Sequence, residues 1–168
     1  LYLGNGISFN EISIVSENIG IESPSSIGRL VIACVARFDS VKNHVMLFEA
    51  LRFIKKDVPF ELHLFGDGPL LEKYKELVQE LHIKSSVVFH GFINKLSMME
   101  TLKKCNLSVL VSKGEGKPRS LMESSYLGLP IIGTDVVGTN EVVKNGENGF
   151  LIQLNDARAL ASKLELLY

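Results

Sequence analysis

Cysteines are few in this sequence, and clustered metal ligands are missing. Its 168 residues include two cysteines, Cys34 and Cys105, without a CxxC spacing, and four histidines scattered at positions 44, 63, 82 and 90. A structural zinc site needs such residues at close spacing. We therefore predict no bound metal, and we interpret both cysteines as buried thiols of a protein from a reducing compartment.

An excess of charge of one sign and long apolar runs are also absent. Lysine and arginine number 18 against 19 aspartate and glutamate residues, without a basic block that covers a face, which argues against a nucleic-acid partner. No apolar run approaches the roughly 18 residues of a membrane-spanning helix. There is no internal repeat or tract of low complexity. With 46% hydrophobic residues, the chain suits one domain with a sizeable core.

Short apolar runs alternate with helical patterns over most of the chain. The first run, LVIACVA at 30–36, is continuously apolar, as expected of a parallel strand that helices cover on both faces. Further predicted strands are 60–65, 86–90, 107–111, 131–135 and a last strand after the turn at 145–149. The alternation predicts an α/β fold, a Rossmann-like doubly wound parallel sheet of about six strands in the order 3-2-1-4-5-6.

The helical patterns carry start signals. Asn43 is the predicted cap of the first helix, and Pro69 suits the first turn of the second. Asn155 or Asp156 is expected to cap the last helix. The apolar positions of the first helix recur at helical spacing: Val45, Leu47, Phe48, Leu51 and Ile54.

The stretch VLVSKGEGKPRSLME, at 109–123, reads as the end of a strand, a loop and the start of a helix. Glu115 lies in the loop and Glu123 near the helix start, with seven residues between them. The amides of a helix N-terminus can hold a phosphate, while the two carboxylates accept hydrogen bonds from hydroxyls. Phosphate donors beside hydroxyl acceptors suggest a nucleotide sugar.

Two further turns follow predicted strands, at the edge where open α/β sheets bind ligands. Arg37 and Lys42 come after the first strand, and two cations there would neutralise the growing charge of a leaving group. Gly66 and Gly68 come after the second strand and permit close approach of a ligand to the backbone. They do not complete a dinucleotide fingerprint, because Leu71 stands where the third glycine belongs.

Each of these features has a plainer interpretation. The two glutamates could be a solvated loop residue and a residue that favours the helix dipole. Arg37 or Lys42 could be a surface cation paired with Asp39, and the Gly-x-Gly could be a tight structural turn. A dinucleotide-dependent oxidoreductase is disfavoured, since no glycine fingerprint follows the first strand.

Several motifs together resemble the donor-site signature of the retaining glycosyltransferase family four, which has the GT-B fold. They are Glu115-Gly116-Lys117-Pro118, Glu123, Gly128-Leu129-Pro130 and, near the start, Asn5-Gly6-Ile7. The resemblance extends over nearly all of the chain from Asn5 onward. It implies the C-terminal half of a GT-B enzyme: residues 1–28 are a lead-in segment from the interdomain junction, 29–168 are the donor-binding domain, and the N-terminal acceptor domain is absent from an excised fragment.

The resemblance also implies a role for each site residue. Arg37, Lys42 and the amides near Ser120 and Leu121 would hold the donor diphosphate. Glu123 would accept the ribose hydroxyls, and Glu115 those of the transferred sugar. The loop of Gly116, Lys117 and Pro118 would surround that sugar, Gly66 and Gly68 would line the nucleotide side of the cleft, and the backbone at Phe92 and Ile93 would contact the base. Lys117 departs from the bulky apolar residue frequent at its place, and it reaches an anionic group or points into solvent.

The activity implied is transfer of a sugar from a nucleoside diphosphate sugar to an acceptor hydroxyl, with retention, without metal or cofactor. UDP is the first expectation for the nucleotide, with GDP and ADP as alternatives. The setting would be cytoplasmic polysaccharide biosynthesis, with peripheral contact at the inner membrane face only through the absent half. The fragment alone would bind donor weakly and turn over little. The alternative is a nucleotide-binding module without transferase activity.

Overall fold

The structure is a computed structural model that describes residues 28–168 throughout and the backbone of residues 2–3 and 7–8. The short strands β1 (Tyr2–Leu3) and β2 (Ile7–Ser8) pair antiparallel. Asn5 and Gly6 of the Asn5-Gly6-Ile7 motif and most of the lead-in segment at 1–28 lie outside the described residues.

Residues 30–152 supply a six-stranded, fully parallel sheet. Its strands are β3 (Leu30–Val35), β4 (Phe60–Phe65), β5 (Val87–Gly91), β6 (Leu107–Leu110), β7 (Ile131–Thr134) and β8 (Gly149–Ile152). Across the sheet they run β5-β4-β3-β6-β7-β8. Numbered along the chain, this is the predicted order 3-2-1-4-5-6, which is confirmed, and the switch point lies between β3 and β6.

Helices cover both faces of the sheet. They are α1 (His44–Phe53), α2 (Leu71–Glu80), α3 (Lys95–Leu102), α4 (Arg119–Tyr126), the short α5 (Thr139–Val142) and α6 (Ala157–Leu166). The larger apolar cluster joins one face of the sheet to α1, α2 and α6, and a smaller one joins the other face to the end of α3. Because both faces are covered, every residue of β6 and β7 is buried.

Helix α1 starts differently from the prediction. Asn43 occupies the position before the helix, but its backbone is left-handed, with φ 52°, and its side chain makes no capping bond. The buried stripe therefore begins at His44 and continues through Leu47, Phe48 and Leu51. Val45, although it belongs to the predicted apolar pattern, lies outside this stripe, since 37% of it is exposed.

Of the other two predicted helix starts, one is wrong and one is confirmed. Helix α2 begins at Leu71, so the placement of Pro69 in its first turn is wrong. The amide of Leu70 donates to the Phe38 carbonyl at 3.0 Å. Because this bond holds the segment against the loop between β3 and α1, the helix begins after Leu70. The capping role of Asp156 is confirmed, because its Oδ1 accepts from the amide of Ala159 at 2.8 Å.

Both cysteines lie in the core, as predicted. Burial raises the pKa of each thiol, Cys34 and Cys105, to about 12, so both stay protonated at neutral pH. No helix in the described part of the chain combines the length and the apolar character that crossing a membrane requires.

Candidate functional site

The carboxyl ends of β3, β4 and β5 surround a mostly apolar cavity of about 380 Å³. Arg37, which is exposed, lies on its wall. Phe92 and Ile93 line it as well, and 89% of the Phe92 surface is exposed. A cavity with apolar walls and a cation at its side suits a flat heterocyclic base linked to a phosphate.

Glu115 and Lys42 meet across the switch point, although they are 73 residues apart in the chain. The Lys42 ammonium donates to Glu115 Oε1 at 2.6 Å. The Ser112 hydroxyl donates to the same oxygen. Only 9% of the Glu115 side chain and 23% of the Lys42 side chain are exposed, so the pair is partly shielded from water and its attraction is stronger than at an open surface.

Neighbouring turns hold the loop that carries Glu115. The amide of Lys113 donates to the Val41 carbonyl at 2.8 Å, and that of Glu115 to the Val137 carbonyl at 3.3 Å. The backbone of Gly138 also packs closely against this loop, since a Cβ at this position would lie 2.4 Å from the Glu115 carbonyl oxygen. The loops after β3, β6 and β7 are thus bonded into one unit.

Asp39 does not take the alternative role of partner to the Lys42 side chain. Its Oδ1 accepts from the amides of Val41 and Lys42, at 2.9 and 3.1 Å. These bonds close the turn after β3 and place the Lys42 side chain toward Glu115.

Glu123 is the fifth residue of α4, and 13% of its side chain is exposed. Its Oε1 lies 3.6 Å from the Nζ of Lys95, at the start of α3. Pro118 precedes α4 without a side-chain cap. Because the first amides of a helix have no intrahelical acceptor, those of the first turn can receive an anion.

The remaining predicted residues of this loop differ in exposure. Gly116 and Lys117 are exposed, whereas Pro118 is buried. Ser120 is half-buried, and the Leu121 side chain is fully buried in the core. Leu121 can therefore contribute to a ligand site only through its backbone.

Gly66 and Gly68 are required mainly by the packing of two loops. A Cβ on Gly66 would lie 2.2 Å from the Ala36 carbonyl oxygen, and one on Gly68 2.4 Å from that of Phe38. The plainer interpretation, a tight structural turn, accounts for both glycines. Gly66 also lines the cavity, so a ligand there would contact its backbone.

Two histidines, His63 and His90, pack against Phe65, which lines the cavity. The His63 Nδ1 and His90 Nε2 atoms are 2.8 Å apart, and the His90 ring lies parallel to that of Phe65 at 4.4 Å between centroids. Burial, and secondarily His63, lowers the pKa of His90. The His90 ring that packs on Phe65 is therefore neutral at pH 7.

Sequence reasoning did not identify four residues of this site: Ser112, Gly138, Lys95 and Thr134. The Thr134 hydroxyl donates to the Ser112 carbonyl oxygen. Ser112 had a detectable signal, because it stands directly after the predicted strand 107–111, where ligand-facing residues gather. Lys95 had none, since its distance from Glu123 depends on how α3 and α4 lie beside each other.

Several known proteins with similar sequences or structures are named as glycosyltransferases. The chain is 33% identical over 129 residues to N-acetyl-alpha-D-glucosaminyl L-malate synthase of Bacillus anthracis, covering 77% of this chain and 33% of that protein. It is 32% identical over 138 residues to UDP-Gal:alpha-D-GlcNAc-diphosphoundecaprenol alpha-1,3-galactosyltransferase of Escherichia coli, covering 80% and 35%. The lipopolysaccharide outer core galactosyltransferase WaaB superposes with a TM-score of 0.80 at 26% identity, covering 88% of this chain and 42% of WaaB.

The chain spans about a third of the length of these curated relatives. Its Rossmann-like sheet matches GT-B glycosyltransferase structures. The model of the family described as glycosyl transferases group 1 matches residues 17–168. With nearly the whole chain matched, this protein belongs to the group 1 glycosyl transferases.

Proposed function

We propose that this chain is the donor-binding half of a retaining glycosyltransferase of family four. It would bind a nucleoside diphosphate sugar for transfer to an acceptor hydroxyl, with retention at the anomeric carbon. The observation that carries the proposal is the contact between Lys42 and Glu115. It puts a cation suited to a diphosphate directly beside a carboxylate suited to sugar hydroxyls, at the ligand-binding edge of the sheet.

The diphosphate would lie between Arg37, Lys42 and the first amides of α4. The two cations and the amides would stabilise the charge that grows on the leaving diphosphate as the glycosidic bond breaks. Protein cations would do this work in place of a metal ion. Lys117, exposed beside Glu115, remains available for an anionic group of the donor.

The nucleoside would continue from the diphosphate into the cavity lined by Phe92 and Ile93. Glu123 would accept hydrogen bonds from the ribose hydroxyls. It would do so while its carboxylate stays close to the Lys95 ammonium, which lies 3.6 Å away. UDP is the nucleotide we favour, because the relative from Escherichia coli is named for a UDP-Gal donor. Residues 29–168 would form the donor domain, with 1–28 leading in from the junction with an acceptor domain.

Calorimetric titration of the 168-residue chain with UDP, GDP, ADP and NAD tests the proposal. We expect one nucleoside diphosphate to bind in preference to NAD. Lys42→Ala and Glu123→Ala should each weaken that binding by about 10- to 100-fold, because each removes a charged hydrogen-bond partner.

Lys144→Ala is the matched control, since Lys144 is exposed in the loop before β8, at the opposite edge of the sheet. It should leave the affinity unchanged. Binding that survives both Lys42→Ala and Glu123→Ala would refute the site assignment, and tighter binding of NAD would point to a different class of protein.

A further inference from the structure

We infer that Ser112 is a positioning residue for the donor sugar: its hydroxyl orients the Glu115 carboxylate so that one carboxylate oxygen faces the sugar. The inference rests on the proposed function and assigns a task within the same site. It starts from a side chain that is fully buried and yet hydrogen-bonded to the most central acidic group of the site.

Two donors converge on one oxygen of Glu115. The Ser112 hydroxyl and the Lys42 ammonium both donate to Oε1. With Oε1 held from two directions, the plane of the carboxylate is defined, and Oε2 is the oxygen left to accept a sugar hydroxyl. A carboxylate oriented before binding loses little rotational freedom when the sugar arrives.

Ser112 is itself held from the neighbouring strand. The hydroxyl of Thr134, the last residue of β7, donates to the Ser112 carbonyl oxygen. Thr134 is fully buried. The contact therefore connects a rigid strand to Ser112 and, through it, to Glu115, which is the kind of support that functional side chains need for accurate placement.

The two donors respond differently to a bound diphosphate. The Lys42 side chain is long and flexible, and its charge is attracted to phosphate oxygens as well as to Glu115. The Ser112 hydroxyl is short, neutral and anchored at the end of β6. It keeps the Glu115 carboxylate in place when the Lys42 ammonium also donates hydrogen bonds to the diphosphate.

The test separates the affinity for the sugar from the affinity for the nucleotide. UDP and the four donors UDP-glucose, UDP-galactose, UDP-N-acetylglucosamine and UDP-N-acetylgalactosamine are titrated into the 168-residue chain by calorimetry. The measured quantity is the affinity for the best of the four donors divided by the affinity for UDP. Ser112→Ala should lower this ratio by up to about tenfold, because the Glu115 side chain would then have to be ordered when the sugar binds, and leave the affinity for UDP within about twofold.

A matched control and a double variant show whether Ser112 acts through Glu115. Ser108→Ala makes the same substitution at another buried serine on β6 and should leave the ratio unchanged. In a Glu115→Ala background, Ser112→Ala should have no additional effect on the ratio, because the acceptor that Ser112 orients is already gone.

Three results would overturn the inference. A ratio that Ser112→Ala leaves intact, whether or not UDP and the UDP-sugars both bind more weakly, would reduce Ser112 to a packing residue. UDP-sugars that bind the wild-type chain no tighter than UDP would also overturn it, while the proposed function would stand. A wild-type chain that binds no nucleoside diphosphate would remove the proposed function and the inference together.

Discussion

At the scale of single residues, His44 is the most unusual side chain in the core. It is 1% exposed, and neither ring nitrogen has a hydrogen-bond partner among the residues that the structure describes. Its ring stacks on Phe38, with 4.7 Å between centroids, and lies near Tyr74. Burial, with a smaller opposing effect of Asp39, lowers the pKa of His44 from 6.5 to about 4. The imidazole is therefore accommodated as a neutral aromatic ring.

The protonation of His44 should make the fold sensitive to acid. Between pH 6.5 and about 4 the unfolded chain binds a proton at His44 that the folded chain does not, so the free energy of unfolding falls as the pH falls through this range. The loss is on the order of 3 kcal/mol. His44→Leu should remove that part of the pH dependence, which urea unfolding at pH 7 and pH 4.5 measures.

His82→Asn is the control for the loss of an imidazole. His82 is exposed and has a φ of 56°, a conformation that asparagine tolerates. A His44→Leu variant that loses stability between pH 7 and pH 4.5 as steeply as the wild type and His82→Asn would contradict the role given to His44.

At the scale of elements, the site depends on how the turns after neighbouring strands pack. The amide of Phe38 donates to the Asp67 carbonyl at 3.0 Å, and the amide of Leu70 returns a bond to the Phe38 carbonyl. The two turns therefore share one backbone ladder beyond the ends of β3 and β4. Only a residue without Cβ fits at Gly68, because a Cβ there would lie within 2.8 Å of three backbone atoms of Phe38.

Gly68→Ala should destabilise the fold by about 2–4 kcal/mol, because the new methyl group would lie 2.4 Å from a backbone oxygen that cannot move independently. Gly114→Ala is the matched control: a Cβ there meets nothing within 4 Å. Thermal and urea unfolding of both variants give the comparison. If the two substitutions cost the same, the glycine at 68 serves a ligand rather than the packing of the turns.

At the scale of the whole molecule, the parallel sheet brings distant segments to one edge. Successive strands are joined by helices, so all six carboxyl ends point the same way, and the reversal between β3 and β6 opens a crevice there. Lys42, after β3, and Glu115, after β6, meet across it. In the proposed function these groups would hold a donor, and acceptor contacts would come from the part of the relatives that this chain does not span.

The 168-residue chain should therefore bind donor without transferring its sugar. Incubated with the UDP-sugar that it binds best, it should release UDP no faster than Glu115→Gln does, because the chain does not span the part of its relatives that would bring the acceptor and exclude water. UDP release is followed with a coupled assay. Robust sugar transfer by the wild-type chain alone would contradict this expectation, and transfer by a full-length parent protein would exclude a mere nucleotide-binding module.

Local patterns in the sequence were enough to predict the order of the strands and the general position of the site. Continuous apolar runs identify buried parallel strands, and right-handed crossovers restrict the possible orders. The residues that follow each strand are then known to share an edge. For this reason the sequence alone places Arg37, Lys42 and Glu115 at one edge of the sheet.

What the sequence by itself determined was thus the α/β fold, the resemblance to glycosyltransferases and the edge of the sheet that carries the candidate site. Only the tertiary structure decided that Lys42 pairs with Glu115, that Ser112 shares the same carboxylate oxygen, and that His44 rather than Val45 faces the core. The physical reason is range. Periodicity and turn chemistry act over a few neighbouring residues, whereas these contacts join segments far apart in the chain or depend on the packing of loops and helices against the sheet.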